Sequence, residues 1–234
     1  EWCEMTGYDG SEAQHQAIRN LASLPIDFTC SMVITPENVQ SFCESVQIAH
    51  DNGAKQFSFT FIIDNDDAEE KDLAYLQKHD PIKLVSDFIS QIDKLSAITD
   101  DWWVEYSFPM CVYTEEQLKL LKGRLATPCQ IHLKNAVTFN TKMELLPCDM
   151  YIYQQLGKFG RDFSSYQEFL SLTESANYNK TMDEIRKLPS DECTACEHFG
   201  VCYGGCPVLW KNYSFTALKE FKAKGTPNSG FSGE

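Results

Sequence analysis

Four cysteines within fourteen residues, Cys193-x2-Cys196-x5-Cys202-x3-Cys206, constrain this chain more than any other feature. A C-x2-C pair directs two sulfurs and the amide N–H groups of the turn between them the same way, so Cys193 and Cys196 form a knuckle that can converge on one metal centre. Gly204 and Gly205 stand between Cys202 and Cys206. Lacking Cβ atoms, they accept positive φ, let backbone pass close to a bulky centre, and offer amides to sulfur. Cys129 and Cys148 lie at the two ends of an expected hairpin, Gln130 to Phe139 and Glu144 to Leu146 around Asn140, Thr141 and Lys142, with eighteen residues between them. Folding that hairpin brings the two sulfurs together. Cys3, Cys30, Cys43 and Cys111 are scattered and read as packing residues, since a free Cys behaves as a small hydrophobe.

Three chemistries compete for the clustered thiols. Disulfides are open because ten cysteines is an even number and nothing in the chain proves a reducing compartment. Against them stand the tight clustering and the place of Cys43 on the apolar face of a helix. A structural zinc needs only four thiolates at tetrahedral distance. An iron–sulfur cluster uses the same residue type, and the family resemblance given below is what favours it over zinc. His198 is the one histidine inside the cysteine cluster and so the one worth testing as a ligand. The acids Asp64, Asp66, Asp67, Glu69 and Glu70 lack the Gly and terminal Glu of an EF-hand loop and read as solvated surface.

The chain around these cysteines can build a core. It has 234 residues, 43% apolar, which excludes a disordered or collagen-like polymer. A formal net charge of −14 repels phosphate backbones and anionic lipid heads and argues against nucleic-acid and membrane-surface partners. The longest apolar stretches, such as Phe57 to Ile63, fall far short of the roughly 20 residues that span a bilayer.

Periodicity predicts an alternation of strands and helices. Trp2 to Met5 reads as a short strand before a turn at Gly7 to Gly10. Ser11 caps a helix with Ala13, Ala17, Ile18 and Leu21 at three- and four-residue steps. Asp27 to Thr35 is a second apolar run, and Thr35, Pro36 and Glu37 then open a helix with the face Val39, Phe42, Cys43, Val46 and Ala49, ended by Gly53. Phe57, Phe59, Phe61 and Ile63 alternate in a further strand, a helix is expected over Ile82 to Leu95, a strand or strand pair over Trp102 to Cys111, and a short helix over Thr114 to Leu121. Ser164 to Leu172 and the stretch from Pro207 to Lys224 read as helical. The order implies parallel strands with crossovers, an α/β layer or barrel wall. The expected organisation is residues 1–122 as that layer, 123–225 as a cysteine-rich domain and 226–234 as a flexible tail.

The spacing Cys129-x18-Cys148, then Cys193-x2-Cys196-x5-Cys202-x3-Cys206 with Cys-Tyr-Gly-Gly-Cys-Pro, resembles the SPASM or twitch extension of radical S-adenosylmethionine enzymes. Tyr8-Asp9-Gly10 with Glu12, His15, Ile18 and Arg19 resembles the fourth-strand segment of their partial barrel. Ile34-Thr35-Pro36-Glu37-Asn38 and Asn52-Gly53-Ala54 resemble the next strand–helix unit. The resemblance implies the C-terminal half of a partial TIM-type (β/α)6 barrel followed by a small cysteine-rich hairpin-plus-helix domain. It also implies reductive cleavage of S-adenosylmethionine to a radical that abstracts hydrogen from a peptide or protein. It matches Cys129, Cys148 and Cys206 to ligands of one auxiliary 4Fe-4S cluster and Cys193, Cys196 and Cys202 to ligands of a second, and it places Gly7 and Arg19 near S-adenosylmethionine. Partners implied are a peptide or protein substrate and an electron donor such as a flavodoxin or ferredoxin, in a cytoplasmic setting.

The sequence departs from that family in three places. C-x3-C-x2-C, whose thiolates leave one iron open to S-adenosylmethionine, is absent, because Leu209 stands where a third cysteine would follow Cys202 and Cys206. A missing start is the expectation, so S-adenosylmethionine is expected only in a complete enzyme. No cysteine follows Cys206, and Met143 occupies the usual glycine of the hairpin. One cluster, or one cluster plus a zinc or an open site, is therefore expected. The competing reading is a non-catalytic module that binds a peptide or partner, with zinc or nothing among the cysteines.

Overall fold

A computed structural model of the chain describes residues 9–63, 79–105, 108–126 and 129–224. Among these, residues 9–62, 80–105 and 113–126 form one compact unit, and residues 63, 79, 108–112 and 129–224 form another. The expected strand at Trp2 to Met5, the acidic stretch from Asp64 and the tail at 226–234 lie outside the described residues.

In the first unit, α1 (Ser11–Ala22) precedes β1 (Thr29–Ile34), α2 (Phe42–Asp51), β2 (Gln56–Phe61), α3 (Pro81–Ile89), α4 (Ile92–Ile98), β3 (Trp102–Glu105), α5 (Glu115–Leu120) and β4 (Leu125–Ala126). The strands form one parallel sheet in the order β1-β2-β3-β4. Register aligns Met32 with Phe59 and Phe59 with Val104, so one face collects apolar side chains. Helices cover that face, and the rings of Phe42 and Phe88 lie 5.3 and 5.6 Å from that of Phe59. Truncating Phe59, which is fully buried, removes contacts worth about 3–5 kcal/mol. The opposite face is more polar: Ser31 and Ser58 share a 2.7 Å hydrogen bond across β1 and β2, and Trp103 Nε1 donates to Glu105 at 3.0 Å.

Several boundaries differ from the sequence expectation for local reasons. Gly10, not Ser11, caps α1, and the helix buries none of its residues. The second helix begins at Phe42 rather than at Pro36, because Asn38 competes for the backbone. Its Oδ1 accepts the Thr35 N–H at 2.9 Å and its Nδ2 donates to the Val33 carbonyl at 2.8 Å. Gly53, at φ +106, does end that helix, and an added Cβ would meet Ala22 at 2.6 Å. The helix expected over Ile82 to Leu95 is two, α3 and α4, divided at Ser90 and Gln91. Asp80 caps α3 by accepting the amides of Ile82 and Lys83 at 2.9 Å. Of the strand or strand pair expected over Trp102 to Cys111, β3 is the first part, residues 106 and 107 lie outside the described residues, and a 3-10 turn over Met110–Val112 stands at its end. Thr114 and Gln117 cap α5 reciprocally.

The second unit contains α6 (Gln130–Leu133), β5 (Thr138–Phe139), β6 (Glu144–Leu146), β7 (Gly157–Lys158), α7 (Tyr166–Glu174), α8 (Ala176–Ile185), a 3-10 turn (Asp191–Ala195), α9 (Phe199–Cys202), α10 (Leu209–Asn212) and α11 (Phe215–Lys224). The expected hairpin is present but short. Gln130 to Leu133 is helical, only Thr138 and Phe139 pair with β6, and β7 adds a third antiparallel strand. The helical stretch after Pro207 is divided at Tyr213 and Ser214.

At the hairpin turn, Asn140 Oδ1 accepts the amides of Lys142 and Glu144 at 2.9 and 3.0 Å. Met143 is forced to φ +59 while its side chain stays 47% exposed. A non-glycine residue in that left-handed region costs roughly 1–2 kcal/mol, and glycine returns part of the gain through its freer unfolded chain. Met143→Gly should therefore raise stability by roughly 0.5–1 kcal/mol, read as a higher urea midpoint with unchanged slope. A lower midpoint would show that the Met143 side chain contributes more packing than its exposure allows.

Candidate metal centres

Cys129, Cys148 and Cys206 come from three separate segments, and each stands at the start of a helical turn. Cys129 precedes α6, and its carbonyl accepts the His132 amide at 3.0 Å. The carbonyls of Cys148 and Cys206 accept the amides of Tyr151 and Leu209, each at 3.1 Å. The same turn repeats at the sulfurs: the amides two and three residues on favour the thiolate at Cys129, at Cys148 and at Cys206. At Cys129 these amides act as oriented dipoles beyond hydrogen-bond geometry.

All three residues pack against a core of Ile131, Tyr151, Met182 and Val208. Burial in that core is the largest influence on each thiol, and it outweighs the amides. Desolvation raises Cys129 and Cys148 above the ordinary value and pushes Cys206 up to about 12. The thiols also feel one another: negative charge on Cys129 or Cys148 raises Cys206, and charge on any of the three raises the Tyr151 phenol. Ionising them together near neutral pH is therefore costly unless a cation sits among them.

A second group of sulfurs faces a different cavity. Cys193 sits in the 3-10 turn over Asp191–Ala195, Cys196 follows that turn, and Cys202 ends α9. The chain then reverses through Tyr203, Gly204 and Gly205 at φ +48, +82 and +77. These three cysteines line a cavity of about 530 Å³ whose wall also includes His198, Trp210 and Lys219. Cys111, read from the sequence as a packing residue, lines the same cavity. Cys206 is not in that wall; it faces the first centre.

The nine cysteines among the described residues are all free, so none of these is paired as a cystine. Among the described residues, no three cysteine sulfurs lie within 4.8 Å of one another. A zinc ion binding four thiolates at about 2.3 Å holds their sulfurs about 3.8 Å apart. A four-iron cluster carries its thiolates on separate irons and spreads them more widely. The donor set is all sulfur and its surroundings are apolar, so these residues suit a thiolate-held metal centre.

The other residues singled out in the sequence are placed as follows. Gly7 lies outside the described residues. Arg19 is in the last turn of α1, where its guanidinium donates to Glu12 at 2.5 Å, to Gln16 at 2.9 Å and to Asn52 at 2.6 Å. Cys43 is buried, and its thiol donates to the Gln91 carbonyl at 3.8 Å. Sequence reasoning missed Cys111 and Tyr151. The signal for Cys111 was arithmetic, since a knuckle that lends Cys206 to another centre keeps three thiols.

The direction of the thiol shifts sets a pH dependence for the metal-free protein. Cys206 ordinarily titrates near 9 and in the fold only at about 12, so its contribution to stability is present below about pH 9 and is lost as pH rises towards 12. Cys129 and Cys148 act in the same direction. Metal-free protein should thus unfold at lower urea at about pH 10 than at about pH 8, and Cys206→Ala should flatten that difference. Equal slopes with pH in both proteins would show that the Cys206 thiol is not desolvated.

No family model matches the chain, and no curated protein does. Its structure is similar to the crystal structure of Streptococcus suis SuiB bound to S-adenosylmethionine, with 14% identity and a TM-score of 0.48 over 89% of this chain and 48% of that one. The chain therefore spans about half the length of that protein. Likeness of this degree assigns no activity.

Proposed function

We propose that this chain is the C-terminal portion of a radical S-adenosylmethionine enzyme that modifies a peptide or protein, and that its cysteine-rich unit holds an auxiliary iron–sulfur cluster on Cys129, Cys148 and Cys206. One observation carries the proposal: three cysteines from three chain segments each present a sulfur at the start of a helical turn to one apolar core. Sulfur donors from separate segments meeting at one apolar core are the arrangement a thiolate-held metal centre needs, and a bound cation would offset the cost of ionising them there. The motif resemblance over Tyr8 to Arg19 and over the cysteine spacing supports the radical enzyme class.

When bound, such a cluster supplies a relay for an electron or an anchor for a substrate. The chain's own residues supply the rest. Ile131, Met182 and Val208 exclude water, and the amides two and three residues beyond each cysteine favour the ionised sulfur. Three thiols leave one position of a four-iron centre without a thiolate from this set. In the complete enzyme, Gly7 and Arg19 stand near S-adenosylmethionine, with Glu12 and Asn52 orienting the Arg19 guanidinium. A flavodoxin or ferredoxin would supply the electron.

Anaerobic reconstitution with iron and sulfide tests the metal assignment. The expected product is brown, with about four irons and four sulfides per centre. Cys148→Ala should lower iron by one centre while Cys30→Ala leaves it unchanged. A colourless protein holding one zinc, or equal iron in Cys148→Ala, would contradict the assignment. The enzyme class is tested by the coding DNA upstream, where an in-frame C-x3-C-x2-C is expected; a stop codon directly before this segment in the native gene would contradict it.

A further inference from the structure

Cys193, Cys196 and Cys202 are three thiols facing one cavity, and Cys206 belongs to the other centre. The fourth wall of that cavity comes from a distant part of the sequence. Residues 108–112 belong with the cysteine-rich unit although most of their sequence neighbours do not, and Pro109, Met110 and Cys111 line the cavity beside the knuckle. We propose that Cys111 is the fourth thiolate of this second centre, so that Cys111, Cys193, Cys196 and Cys202 together bind an iron–sulfur cluster. The inference rests on the metal reading above and assigns to the cluster a ligand that the cysteine spacing does not contain.

Four contacts hold Cys111 in place. The Met110 N–H donates to Cys202 Sγ at 3.4 Å, which fixes the neighbouring residue against a ligand sulfur. The Val112 amide donates to the Pro109 carbonyl at 2.9 Å and closes a tight turn around residues 110 and 111. From α11, Lys222 Nζ donates to the Cys111 carbonyl at 2.7 Å. Gly205 makes the approach possible, because a Cβ there would sit 3.0 Å from both the nitrogen and the Cβ of Pro109. The glycine that follows Cys202 by three residues is thus shaped to admit the segment carrying Cys111.

The charge around the cavity agrees with that role, and Cys111 itself is exposed at the cavity wall. Lys219 and Lys222 also line the cavity, so cations stand near a centre where four thiolates would gather. Cys30 and Cys43, the other cysteines outside the motif among the described residues, lie in the parallel-sheet unit, on β1 and in α2. Cys43 instead spends its thiol on the Gln91 carbonyl.

Differential alkylation of the full chain, read by mass spectrometry with and without anaerobic loading by iron and sulfide, tests the assignment. Loading should slow modification of Cys111 at least tenfold, in step with Cys193, Cys196 and Cys202, and a chelator should release all four together. Cys111→Ser should speed iron loss from this centre at least tenfold, and Gly205→Ala, which keeps every thiol, should do the same. Modification of Cys111 at one rate in both states, while the other three are protected, overturns the proposal. Protection confined to Cys129, Cys148 and Cys206 overturns it and leaves the first centre standing. Protection of no cysteine overturns both.

Discussion

The cysteine-rich unit depends on one electrostatic constraint: sulfurs that want to be ionised are packed where ionisation is costly. Apolar neighbours at Cys129, Cys148 and Cys206 hold the thiols neutral, yet the backbone around each is folded to welcome the anion. On the proposed reading, a bound cation reconciles the two features. The unit's own elements are slight. Its strands are two and three residues long, and several of its helices span a single turn. A unit built from such pieces gains much of its order from whatever ties its loops together.

The parallel-sheet unit is stabilised by different means. An aromatic cluster of Phe42, Phe59, Phe61, Phe88 and Trp102 joins the sheet to the helices that cover it, with ring separations between 5.3 and 6.2 Å. The face away from those helices carries Ser31, Ser58 and Glu105.

Much of this was legible in the sequence where the signal is local and periodic. The strand Gln56–Phe61 follows from alternating phenylalanines, α5 from its Thr114 cap, and the end of α2 from Gly53. Boundaries failed where a polar side chain competed for backbone groups, as Asn38 does before α2, or where a segment was too short to show a period, as with β4 and β7. The cysteines followed the same rule. Clustered spacing singled out six of them, and it could not single out Cys111, whose nearest proposed partner along the chain, Cys193, is eighty-two positions away. Only the path of the chain past Gly205 brings it in.

The claim on which the functional reading rests is that these sulfurs surround several iron atoms rather than one ion or none. Iron-edge X-ray absorption on the anaerobically reconstituted chain measures this directly. The account predicts sulfur neighbours together with a short iron–iron shell, in protein whose cysteines remain free of cystine. A spectrum with sulfur neighbours and no iron–iron shell, or with only oxygen and nitrogen neighbours, would contradict it.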